Sequence, residues 1–162
     1  MNFSYLENGT VTGLNRVAMP DTDELTGTCT PQDLIHGYTA EFYTAPEGII
    51  TPKSQGTVDE LKAVNTWETS KQKATDSALK HLNAATDLIQ KDDVHAQIGL
   101  ITLVPDRRAD VENYATALQT HINTLMHTDY PNDWPEEPEP PTGIAELIAN
   151  PATAYYTTIY SI

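Results

Sequence analysis

The chain has 162 residues and a mass of 17.8 kDa, enough for one domain or one domain with an appendage. Nine Lys and Arg stand against 23 Asp and Glu, a net charge of −14, with 39% hydrophobic and 20% charged residues. This is too apolar for a wholly disordered chain, too polar for a membrane protein, and too acidic to wrap nucleic acid, whose phosphates need Lys and Arg.

The start, Met1-Asn2-Phe3-Ser4-Tyr5, has neither a charged opening nor an apolar run, so no secretory leader is expected. All nine bases precede residue 109, and the 54 residues after Arg108 carry eight acids and no Lys or Arg. A partner of that part is expected to be neutral or basic. Cys29 is the only cysteine, which excludes an intrachain disulfide.

In chain order, residues 1–56 read as a small β-rich unit. Phe3 and Tyr5 alternate with polar residues and run into Asn8-Gly9, a tight-hairpin pair that tolerates positive φ. Val11 and then Val17 to Met19 are candidate partner strands. Pro31 to Gly37 reads as a brief helix started by Thr30, Tyr38 to Tyr43 as a strand, Ala45-Pro46-Glu47-Gly48 as a turn, and Ile49 to Thr51 as a short strand.

Residues 57–91 are the clearest helix. Thr57 with Glu60 has the spacing of a capping box, and Leu61, Val64, Trp67 or Glu68, Lys71, Ala74 or Thr75, Ala78, Leu82, Ala85 and Ile89 recur every three or four positions. The stripe is thin, with Ala and Thr where Leu is usual, which fits a helical hairpin or coiled coil better than a large core. Residues 92–105 are compatible with a buried strand or an apolar helical turn. Residues 106–128 give a second helix, with Asp106 as N-cap and Val111, Tyr114, Leu118, His121 or Ile122, and Leu125 on one face.

Residues 129–141 hold five prolines and five acids in 13 positions, a composition that excludes helix and central strand and favours an extended, polyproline-like course. The run Ala154 to Ile162 is aromatic and β-branched and reads as a strand that needs a cover. The expected class is therefore α+β, in three parts: a β-rich unit at 1–56, a helical hairpin at 57–128, and an extended acidic proline segment with a C-terminal strand at 129–162.

Chemistry is sparse. There is no Gly-x-Ser-x-Gly, no phosphate-cradling glycine loop, and no ligand spacing among the five histidines. Asp21-Thr22-Asp23-Glu24 opens like a calcium loop but lacks the Gly at its sixth position and the Glu at its twelfth. No catalytic residue, cofactor or metal is expected, and the chain is read as a non-enzyme. The informative residue is Trp134, a large amphipathic side chain on a stiff proline backbone. It serves equally well to anchor a partner or to seal the chain's own hairpin.

Two motifs carry a resemblance. Tyr114-Ala115-Thr116-Ala117-Leu118 lies on the second helix, and Trp134-Pro135-Glu136-Glu137-Pro138 follows it in the acidic segment. Together they resemble the tail fibre assembly proteins, or tail assembly chaperones, of tailed bacteriophages, over residues 110 to 140. The resemblance implies a non-enzymatic accessory that binds and caps the folding tip of a trimeric fibre in the host cytoplasm during assembly, and is then either released or retained on the fibre. It implies partner contacts at Tyr114, Leu118, Trp134, Pro135 and Pro138. The strand-like Tyr155, Tyr156 and Tyr160 add an edge able to join a partner sheet, and the helices offer a surface for self-association. No nucleic acid or membrane partner is expected. The competing readings are a permanent structural component of the virion tail and, less favoured, an acidic mimic of nucleic acid.

Overall fold

A computed structural model of the chain describes residues 2–6, 10–14, 25–28, 34–141 and 144–149. The architecture is α+β, with two long helices and a small sheet. The chain divides into two compact units, Met1–Thr66 and Trp67–Ile162. The division falls inside the first long helix rather than at its start, and the proline segment belongs to the second unit.

In the first unit, β1 (Asn2–Leu6), β2 (Thr10–Leu14), β3 (Leu25–Thr28), β4 (Tyr43–Thr44) and β5 (Thr51–Pro52) form one sheet in the order β3-β1-β2-β4-β5, each pair antiparallel. Leu6 pairs with Thr10, which leaves three residues between the strands where a two-residue Asn-Gly loop would leave two; Asn8 and Gly9 lie outside the described residues. Between β1 and β2 the register slips: Ser4 faces Gly13 but Tyr5 faces Val11. An extra residue on β2 reverses the alternation beyond it. Val11 and Leu14, three apart, are thereby both buried. They share a core with Leu34, Phe42, Tyr43, Ala45, Ile50 and Val58.

The expected strand from Tyr38 to Tyr43 is corrected. Ala40–Phe42 is a 3-10 turn, and only Tyr43–Thr44 pairs as strand. The reason is burial: Phe42 and the adjacent Tyr43 both enter the core, which an alternating strand cannot do. The Tyr43 hydroxyl accepts from His36 N at 2.9 Å and donates to Gly37 O at 2.8 Å. The described end of the expected brief helix, residues 34–37, is a turn instead, closed by Gly37 N donating to Leu34 O at 3.0 Å with Gly37 at φ +82. Pro46–Gly48 is also a 3-10 turn, with Glu47 at φ 53. The strand expected from Ile49 is shifted to β5. Val17 to Met19, the Asp21 to Glu24 stretch, Cys29, Thr30 to Asp33 and the run from Ala154 lie outside the described residues.

Helix α1 spans Gln55–Gln97 and α2 spans Pro105–His127. Both expected N-caps are corrected. The α1 cap is Ser54, whose Oγ accepts Thr57 N at 3.2 Å, so Thr57 is the third helical residue. At α2 the cap position is Val104, with φ −64 and ψ 149, and Pro105 occupies the first turn. A proline there loses no hydrogen bond, and it moves Asp106 inward to act on the helix dipole. Thr116, Thr120 and Thr124 donate their hydroxyls one turn back along α2, which keeps those groups satisfied within the helix.

In the second unit, α1 gives the small residues Ala78 and Ala85 with Leu88, and α2 gives Val111, Tyr114, Ala115 and Leu118. The thin stripe gains a third side from α3 (Ala145–Ala149): Ile144, just ahead of it, and Ile148 enter the same cluster. Full burial of an isoleucine contributes roughly 1.5–3 kcal/mol, so this return of the chain is a substantial part of a small core.

Candidate functional site

Two features of the second unit concentrate the chemistry. The first is the proline segment, which lies along the hairpin as a strap. After α2 ends, Thr128 O accepts from Lys71 Nζ at 2.6 Å, and Asn132 O accepts from Trp67 Nε1 at 2.9 Å. The Trp67 ring meets Tyr130 edge-on at 6.0 Å and Trp134 at 5.6 Å, with Lys71 Nζ 5.0 Å from its centre. Further along, Glu137 accepts from His81 Nδ1 at 2.5 Å. Trp67 to His81 is about 21 Å of helix at 1.5 Å per residue, and Asn132 to Glu137 is about 16 Å of polyproline backbone at 3.1 Å. The lengths match once side-chain reach is added, so an extended backbone is what lets the strap touch α1 at both places.

The expected contact residues separate under this geometry. Leu118 is fully buried and Tyr114 is 4% exposed, both inside the hairpin core. The expectation that they face a partner is corrected: their period-matched spacing on α2 serves internal packing. Trp134 is half-buried and seals against Trp67; Pro138 is half-buried; Pro135 is exposed. Tyr155, Tyr156 and Tyr160 lie outside the described residues. Trp67, Lys71 and His81, which hold the strap, were not singled out as site residues. The available signal was the pair Trp67 and Lys71, one helical turn apart on the stripe.

Among the described residues the Tyr114 hydroxyl has no hydrogen-bond partner. Burial, and then the nearby charge of Glu137, raise its ionisation above the ordinary tyrosine value. Among the described residues both ring nitrogens of the buried His121 likewise have no partner.

The second feature is the tip where α1 turns into α2. Leu100 N donates to His95 O at 2.9 Å and Gly99 N to Ala96 O at 3.4 Å, with Gly99 at φ +70. This is the Schellman pattern, which needs a residue free to adopt positive φ. It decides residues 92–105: helix to Gln97, then a turn, then an irregular connection. The connection is pinned from below. The buried Asp92 carboxylate accepts Leu103 N at 2.6 Å and Arg108 Nη1 at 2.8 Å. Arg108 also reaches Asp93 at 2.8 Å and Glu112 at 2.7 Å. Glu112, then Asp92 and Asp93, hold the guanidinium charged well above its ordinary range.

Above this clamp Val94, Ile98, Leu100, Ile101 and Val104 are 45–64% exposed. Beside them lies an open depression of about 330 Å3 lined by Asp87, Gln90, Lys91, Val94 and His95.

Among the described residues no cluster of three or more His, Cys, Asp or Glu is placed to hold a metal ion. No described helix is long and apolar enough to cross a membrane. Comparison with family models, curated proteins and solved structures finds no match for this chain.

Proposed function

We propose that this chain is a non-enzymatic binding protein that assists assembly of a tailed-bacteriophage tail fibre by covering the folding C-terminal tip of the fibre protein. The observation that carries the reading is the strap: the Trp134-Pro135-Glu136-Glu137-Pro138 segment lies extended on a helical hairpin, held through Trp67, Lys71 and His81. Its exposed residues include Pro135, Glu136 and Glu139. A surface fixed before binding loses little conformational entropy on association.

Fibre tips suit such a partner. Their long-range strand pairing is slow and leaves apolar edges exposed while trimers form. In this reading Trp134 and Pro138 fix the strap, Pro135 lies on its contact side, and the run holding Tyr155, Tyr156 and Tyr160 adds a strand to the partner's sheet. The protein acts in the host cytoplasm during assembly, and its presence or absence in finished particles distinguishes retention on the fibre from release.

The test is co-expression of the full chain with a tail fibre protein from the same genome. The expected result is a co-purifying complex, with soluble trimeric fibre lost when the chain is omitted. A fibre that folds and trimerises equally well alone refutes the reading.

A further inference from the structure

The hairpin tip carries a docking surface distinct from the strap. Short connections between helices are ordinarily polar, and single exposed aliphatics are common; five of them within eleven residues form a patch. Val94, Ile98, Leu100, Ile101 and Val104 are that patch, each 45% exposed or more. The connection carrying most of them is held in one shape by the Schellman turn, by His95 Nδ1 donating to Ile101 O at 3.0 Å, and by the buried Asp92 clamp on Leu103 and Arg108. A buried carboxylate is costly to desolvate unless fully partnered. Here the outcome is a connection that keeps Leu103 inside and its apolar neighbours outside.

Charge selects the occupant. Residues 87–112 carry six acids and three bases, a local charge of −3 within a chain of −14. A second copy would bring acid against acid, and an anionic lipid surface would be repelled in the same way. An apolar patch rimmed by Lys and Arg is attracted over long range and then buries its aliphatics on contact. We propose that the tip docks a protein surface of that kind: apolar at its centre and basic at its rim. In the assembly role proposed above, on which the identity of the natural partner rests, that surface belongs to the fibre protein.

The test is an NMR titration of the full chain with two short amphipathic peptides of equal length and leucine content, one Leu/Lys and one Leu/Glu. The Leu/Lys peptide is expected to shift amides at residues 94–104, and the Leu/Glu peptide to leave them in place. The neutral double variant Ile98→Ser, Ile101→Ser should keep the wild-type melting temperature and circular dichroism and weaken Leu/Lys binding by about tenfold or more, as truncation of central apolar contacts does. Shifts confined to the strap, an equal response to both peptides, or a wild-type dimer abolished by the double variant each overturn the proposal. Fibre capture separates the two readings. Peptide docking at the tip without fibre capture removes the assembly role and leaves the tip; normal fibre capture by the double variant removes the tip's part in assembly and leaves the assembly role.

Discussion

Asp92 and Tyr114 are buried polar residues in opposite circumstances. Both Asp92 oxygens are used, one by the Leu103 amide and one by Arg108. Asp92→Ala leaves that amide unpaired and removes one of three carboxylates from Arg108. The expected loss is about 2–3 kcal/mol in urea unfolding, with faster hydrogen exchange at Leu103. The Tyr114 hydroxyl has no partner among the described residues, so Tyr114→Phe deletes a group that costs desolvation and returns no hydrogen bond there. Its stability at neutral pH is expected to equal that of the wild type or exceed it by about 1–2 kcal/mol. The sign with pH follows from the raised ionisation of this residue. The folded state holds the proton more tightly than the unfolded chain, so the stabilisation is complete below the ordinary value of 10.0 and is lost as pH climbs above it. Unfolding midpoints of the two proteins should therefore diverge further above pH 10, the wild type losing stability faster; parallel curves would show that Tyr114 ionises as freely folded as unfolded.

At the scale of elements, the helical hairpin was legible because its period is local: Val111, Tyr114, Leu118 and Leu125 recur on one face of α2, and all four are buried. What a period does not specify is the owner of the opposite face. The same spacing that places Tyr114 and Leu118 on one stripe is satisfied by a partner or by the chain's own core, and the core takes it. The strap was legible as extended backbone from its prolines, but its seat was not, since Trp67 and Asn132 are 65 residues apart. The caps moved for local steric reasons, Ser54 preceding Thr57 and Pro105 preceding Asp106. β3 escaped notice because Leu25-Thr26-Gly27-Thr28 has one apolar residue, and pairing with β1 rather than alternation defines it. Two variants test the elements that were found. Gly99→Ala meets open space but a forbidding φ of +70, so it should cost about 1 kcal/mol, and Gly99→Asn less, because asparagine tolerates that region. Trp134→Ala removes the edge-on contact with Trp67 and should lower stability by about 1–3 kcal/mol. Limited proteolysis should then cut first within residues 128–141; an unchanged melting temperature and cleavage pattern would show that the strap is held without its tryptophan.

At the scale of the whole molecule the dominant quantity is charge. With 23 acids and nine bases, most carboxylates have no cation to pair with, and the five acids of residues 129–141 are crowded onto one extended segment. Two opposing electrostatic contributions follow. Like-charge repulsion acts between many groups over distances near the Debye length, about 8–10 Å at physiological salt, and destabilises any compact state. Local attractions oppose it, among them the Arg108 cluster, partly withdrawn from water, and the part-buried His81–Glu137 contact. Salt screens the exposed, long-range repulsion more effectively than it screens the partly buried clamp. Added sodium chloride should therefore raise the melting temperature, by on the order of 1 kcal/mol or about 2–4 °C between low and half-molar salt. The same series on Arg108→Gln should show a lower starting point and a similar rise, because the repulsion being screened is untouched. A melting temperature that falls with salt would mean instead that the short ion pairs outweigh the net charge of −14.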